Sequence, residues 1–212
     1  MSISDGNFSL MEMGLKYICE NVDKPQWKNI RMAELGNQKI LRYDKKKKRE
    51  INLGPSKKYF SDLGVVHTSF DINGKDGATK INLSRPLPKK WFGKFDMVTN
   101  YGTTEHIENQ WQVFCNIHNM LKVGGVSVHS IPLSGYWKEH CPYHYKGRFP
   151  EQLTKHNDYQ IIHKEVQVRH KVNKLLNFVI QKMSDRDFQG EESFGNGITF
   201  SEDYEKNNDN LF

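Results

Sequence analysis

Apolar positions along this chain switch between two periods. Leu10, Met11, Leu15 and Ile18 recur at three- and four-residue spacing, which predicts a helix over residues 8–21, broken at Lys24-Pro25. Short apolar runs follow, separated by polar, glycine-bearing stretches. Residues 29–35, 65–70, 78–84, 95–100 and 126–131 read as buried strands. Pro55 suits the first turn of a helix that runs to Leu63 and ends at Gly64. Ile107, Trp111, Phe114 and Leu121 form one helical stripe, with Gly124-Gly125 as its expected stop and Pro132 closing the next strand. Residues 149–156 read as a short helix with Pro150 in its first turn. Residues 159–170 and 174–183 alternate as two strands joined by a tight connection, a hairpin at the end of an α/β domain.

Two stretches resist this reading. Residues 39–54 are polar and lysine-rich, and they are expected to be a mobile loop or irregular excursion. Residues 184–212 are polar and acidic, so the domain is drawn over 1–183, followed by a largely disordered tail. The strand, helix and strand over 95–131 form a parallel crossover. The polar turn after its first strand carries Asn100, Tyr101, Gly102, Thr103, Thr104, Glu105 and His106. In open α/β sheets, ligands bind at that edge.

Composition changes this picture little. A chain of 212 residues fits one domain with a real core. The net charge is +6, with a block at Lys45-Lys46-Lys47-Lys48-Arg49 and further pairs at Lys57-Lys58 and Lys89-Lys90. Such a run attracts phosphate or an acidic surface, or is simply a solvated loop. Cys19, Cys115 and Cys141 are odd in number and widely spaced, which fits a reducing compartment without a disulfide framework. Neither a signal peptide nor an apolar run of membrane-spanning length is visible, so a soluble, cytoplasmic protein is expected.

Four local patterns, spread over residues 30–180, carry a resemblance. Glu34-Leu35-Gly36-Asn37-Gln38 follows the first strand. Asp71 ends the second. Phe95-Asp96-Met97-Val98 is followed by Glu105-His106-Ile107. Leu121-Lys122-Val123-Gly124-Gly125 precedes a strand. In this order they resemble the class I S-adenosylmethionine-dependent methyltransferases. The resemblance implies a Rossmann-like three-layer α/β sandwich with a mostly parallel seven-stranded sheet and a C-terminal antiparallel β-hairpin. It implies S-adenosyl-L-methionine as cofactor, met by Glu34, Gly36, Asn37, Gln38, Asp71, Asn82, Asn100, Tyr101 and Gly102. Asp71 would accept the ribose hydroxyls, and Gly36 would let the backbone approach the ligand. Asn37, Gln38 and Lys39 stand where the family carries further glycines.

Methyl transfer from a sulfonium is a direct displacement, with a general base needed only when the acceptor must lose a proton. Glu105, His106 and His140 are the catalytic candidates, and Tyr136, Trp137 and Tyr143 an acceptor wall after the fifth strand. His140, Cys141 and His144 lack the second pair that a zinc site requires, so no metal is expected. The acceptor is expected to be a small molecule, such as a sugar or other metabolite. Nucleic acid is the rival acceptor, favoured by the lysine run. Against it, Asn100-Tyr101-Gly102-Thr103 stands where amino-directed DNA methyltransferases carry an Asp/Asn-Pro-Pro-Tyr/Phe segment. A non-catalytic module of the same fold is a third reading, consistent with the altered glycine loop.

Overall fold

The computed structural model describes residues 2–19, 26–44, 46–137, 139–169 and 172–201. The chain begins with β1 (Ser2–Ile3) and α1 (Asp5–Ile18), then β2 (Arg31–Leu35), β3 (Lys39–Asp44), β4 (Arg49–Pro55), α2 (Ser56–Asp62), β5 (Val66–Asp71) and β6 (Thr79–Lys80). It continues with β7 (Phe95–Tyr101), α3 (Gln110–Met120), β8 (Leu121–Pro132), β9 (Tyr143–Tyr145), α4 (Phe149–His156), β10 (Tyr159–Arg169) and β11 (Asn173–Lys182). The last described elements are α5 (Glu191–Phe194) and β12 (Ile198–Phe200).

Among the described residues the central sheet has seven strands in the order β10-β11-β8-β7-β2-β5-β6. The run from β6 to β8 is parallel, and β11 pairs antiparallel with both β8 and β10. This is the expected sandwich with its terminal hairpin. Alternation along the strands divides the core between two faces. Met32, Met97, Val126 and Val128 meet Phe8, Met11, Leu15 and Phe60 on one face. Ala33, Val98, Ile131 and Phe178 meet Phe114, Ile117 and Phe149 on the other. Helix α1 lies close on the sheet at Gly14, where an added Cβ would stand 2.9 Å from Val126 Cγ2.

Several expected boundaries move. Residues 39–54 are not an irregular loop: β3 and β4 form an antiparallel hairpin, and β3 also pairs with β1. Of the basic run, Lys45 lies outside the described residues, as do residues 20 and 21 of the expected first helix. Helix α3 starts at Gln110, where the Asn109 side chain accepts from the Gln112 amide, and ends at Met120. Gly124 and Gly125 therefore do not stop it. They sit where the β7–β8 register shifts, and a Cβ on Gly125 would crowd three backbone oxygens at 3.0–3.1 Å. The expected disorder of the tail is corrected for residues 184–201. Phe188 is buried against Trp111, and β12 pairs with β9. Residues 202–212 lie outside the described residues.

Candidate functional site

Strand order reverses between β2 and β7, so the loops that leave their C-terminal ends flank the sheet's switch point. Gly36 turns the chain out of β2 with φ +76°, a conformation that favours glycine. Its amide donates to Phe70 O at 2.9 Å, tying this loop to the end of β5. The Asn37 amide donates to Asp71 Oδ2 at 2.8 Å, and the Asn37 side chain donates to Lys75 O and Asp76 Oδ2. Asp71 Oδ1 accepts the Asn73 amide at 2.9 Å. Each Asp71 oxygen thus accepts one backbone N–H, and a carboxylate oxygen has two lone pairs.

Three residues expected at the cofactor prove to be internal. Glu34 is fully buried; its Oε1 accepts the Gln38 amide at 3.1 Å and the Ser56 hydroxyl at 2.7 Å, while His67 Nε2 stands 3.5 Å from Oε2. Its carboxylate holds the base of the β3–β4 hairpin closed, with the Ser56 amide donating to Gln38 O across the same neck. Gln38 is also buried, its side-chain amide donating to Leu35 O at 3.2 Å and Thr103 Oγ1 at 3.4 Å. Asn100 is buried under the next turn, donating to Thr104 Oγ1 at 2.9 Å, accepting the Thr104 amide at 3.2 Å, and lying 3.1 Å from His129 Nδ1. Asn82 is exposed, and its Oδ1 accepts the amide of Ser84 in a local turn. It holds that turn, two residues beyond β6.

The other half of the edge is hollow. A cavity of about 440 Å³ opens beyond β7 and β8, and Tyr101, Gly102, Glu105, His106, Trp137 and His140 line it. Six of the residues singled out from the sequence therefore share one space. The turn that presents Glu105 and His106 is fixed from below by Asn100 and from the side by Tyr145, whose hydroxyl lies 2.8 Å from Thr104 Oγ1 and 2.7 Å from Gln110 Oε1. Trp137 adopts φ +62°, and its indole N–H donates to Lys174 O at 2.8 Å. The His140 ring packs against those of His106 and Trp137, with centroids 5.3 and 5.4 Å apart.

Sequence reasoning missed the roof and far wall of this cavity. Ser2 and Asn7 come from the N-terminus, Ser130 and Pro132 from β8, Arg169 from β10 and Leu175 from β11. Ser4 begins α1 with a reciprocal cap: its amide and hydroxyl both reach Asn7 Oδ1 at 2.9 Å, and this brings Asn7 under the roof. Two expected wall residues lie elsewhere. Lys174 Nζ lies over the Tyr136 ring, outside the cavity lining. Tyr143 packs edge-on against Phe200, because the β9–β12 pairing turns it to a separate shallow groove.

Electrostatics in the cavity follow from burial. Glu105 is 2% exposed, its Oε2 has no hydrogen-bond partner, and desolvation pushes its carboxyl up to about 8. Partial desolvation, then the neighbouring His140, brings His106 down to about 4, although the His106 and His140 rings both keep solvent exposure. His140 is lowered too, chiefly by burial. At neutral pH the carboxyl is thus mostly protonated and both imidazoles are neutral proton acceptors. Glu105, His106 and His140 also bring one donor atom each to within 4.8 Å of one another, a carboxylate-and-imidazole set able to ligate a divalent ion. No metal is expected from the sequence, either at Glu105-His106 or at His140, Cys141 and His144; in the second grouping Cys141 Sγ lies 3.6 Å from His144 Nε2, away from the cavity lining.

No family pattern and no curated protein matches the chain by sequence. Solved structures do match by shape. An S-adenosylmethionine-dependent methyltransferase from Mesorhizobium loti superposes with a TM-score of 0.54 at 14% identity, over 82% of this chain and 96% of its own. N-methyltransferase NodS from Bradyrhizobium japonicum WM9, crystallised with S-adenosylhomocysteine, gives 0.51 at 11% identity, over 85% and 87%. The cyclase SpnF gives 0.51 at 10% identity, over 74% and 77%. The chain has the class I methyltransferase fold. One of these three structures is named a cyclase, so activity must be argued from the site.

Proposed function

We propose that this protein is an S-adenosylmethionine-dependent methyltransferase acting on a small-molecule acceptor. The carrying observation is the cavity beside the switch point, where Glu105, His106 and His140 meet Tyr101 and Gly102. Asp71 suits the ribose of the cofactor, since each carboxylate oxygen retains acceptor capacity after taking one backbone N–H. Gly36 and Gly102, both at positive φ, suit a backbone that passes close to a ligand. The 3.4 Å contact between Gln38 and Thr103 spans the two loops and is long enough to yield to a ligand.

The cofactor supplies an electrophilic methyl group on a sulfonium. The cavity walls hold the acceptor and limit water, which converts the encounter into an oriented displacement. With the cofactor held at Gly36, Asp71 and Gly102, an acceptor oriented by the cavity walls would take the methyl group as the sulfonium leaves as a thioether. The proton that the acceptor releases passes to a neutral ring nitrogen of His106 or His140. Protonated Glu105 serves as a hydrogen-bond donor to the acceptor. The volume, about 440 Å³, favours a metabolite over an extruded nucleotide with its flanking strand. With Cys19, Cys115 and Cys141 all free, a reducing cytoplasm is the fitting compartment.

Titration calorimetry with S-adenosylhomocysteine tests this reading. Micromolar binding to the full chain is expected, followed by methyl turnover in a screen of small acceptors. Failure to bind the cofactor product would remove the enzyme reading and leave the non-catalytic one.

A further inference from the structure

One charged group in the cavity has no role in that scheme. Arg169 is the last residue of β10 and paired with Asn173, on the side of the sheet remote from Asp71. It is half-buried and lines the same cavity as His106 and His140. Its guanidinium donates to Ser4 Oγ at 3.3 Å, and among the described residues no carboxylate lies within ion-pairing distance of it. The nearest acid on its own strand is engaged elsewhere, since Glu165 Oε1 accepts from Asn177 at 3.0 Å and Oε2 lies 3.6 Å from His163. Glu105, the acid of the cavity lining, is not in ion-pair contact with Arg169.

A guanidinium stays charged at any biological pH and presents a planar fork of donors. Removing it partly from water without a partner is costly, and a bound anion relieves that cost. The hydroxyl of Ser4 and one positive charge match a singly charged, planar group better than a dianionic phosphate, which calls for several cations or a cradle of amides. We infer that Arg169 is a specificity-determining residue, and that the acceptor is a carboxylate-bearing small molecule anchored on Arg169 and Ser4 in the cavity that also presents His106 and His140. This rests on the methyltransferase reading for the word acceptor, but not for the anion site itself.

Two carboxylates are candidates for that guanidinium: one on the acceptor, and the one on the methionine part of the cofactor. Calorimetry with the matched probes benzoate and benzamide separates them, on the full chain with and without saturating S-adenosylhomocysteine. The expected result is a preference for benzoate of about tenfold, the worth of one charge-assisted hydrogen-bond pair. Arg169→Ala should abolish the preference and Arg169→Lys should keep part of it. Affinity for benzamide and for S-adenosylhomocysteine should change less than about twofold by the same conversion, with thermal melts confirming that the variants fold. Equal affinity for the two probes in the unmodified chain, including no binding of either at millimolar concentration, overturns the inference. So does an Arg169→Ala variant that keeps the preference. A loss of S-adenosylhomocysteine affinity alone would reassign Arg169 to the cofactor. If the chain prefers benzoate yet binds no S-adenosylhomocysteine, the anion site stands and the methyltransferase reading falls.

Discussion

The two halves of the sheet's C-terminal edge treat polar groups in opposite ways. On the β2–β5 side the motif residues are tied to one another, Glu34 to Gln38 and Ser56, Asn37 to Asp71 and Asp76, Asn82 to its own turn, although Glu34 Oε2, Asn37 Oδ1 and Gln38 Oε1 are buried without a hydrogen bond. On the β7–β10 side the groups converge on empty space. Glu105 Oε2 is buried without a hydrogen bond, two neutral imidazoles face it, and among the described residues Arg169 meets only a hydroxyl. The halves differ in space rather than in unmet hydrogen bonds: the motif side chains of the first pack on one another, and those of the second line a cavity. The contrast separates residues that hold the edge in shape from residues that meet a substrate, although both sets occupy motif positions.

The sharpest way to break this contrast is at Glu34. If it is scaffold, Glu34→Ala strands a buried amide and a buried hydroxyl, and costs about 3 kcal/mol of stability. Chemical denaturation measures it, and a near-normal midpoint would return Glu34 to the cofactor site. Asp71 sits at the boundary between the two behaviours, being engaged yet still able to accept. Asp71→Asn keeps an oxygen for one of the two loop amides, turns an NH2 toward the other and weakens acceptance of the ribose hydroxyls, so affinity for S-adenosylhomocysteine should fall about tenfold, some 1.4 kcal/mol. Calorimetry showing unchanged affinity would move Asp71 wholly into the scaffold.

The strands and their order were legible because each is a short apolar run set off by turn residues, and because motifs at Gly36, Asp71 and Glu105 fall at strand ends. The β3–β4 hairpin was not. Only Ile40 of β3 is fully buried, and its partner β1 is two residues long, so neither shows a period. Phe188 and Phe194 are isolated in a polar stretch; their value comes from Trp111 and Phe114, far away in the chain. Within the site, the turn at Glu105 and His106 could be located from the sequence because it follows a strand. That Asn100 would support it from beneath, facing His129, depends on which side of β7 it projects. Arg169 was hidden for a related reason. A charged residue at a strand end reads as solvent-facing, and only the packing of the N-terminus over β10 encloses it.

The smallest predicted effect tests whether the hollow side is truly strained. Glu105 ionises near 4.5 when unfolded and at about 8 when buried. Its folded-state value is raised, so the native chain holds a proton that the unfolded chain has released. Stability from this group is therefore full below about pH 4.5 and declines as pH rises to about 8. Glu105→Gln copies the protonated form and removes that dependence. The carboxyl borders an open cavity, where water and small shifts relieve much of the cost, so the expected gain is about 1 kcal/mol, or 2–4 °C in melting temperature for a chain of this size. It should appear at pH 8 and vanish at pH 4.5. Melting curves at the two pH values decide the matter. A gain of equal size at both would mean that packing, not ionisation, separates the two side chains. A loss at pH 8 would mean that the carboxylate already has a partner, and Glu105 would then belong with the residues that hold the edge in shape.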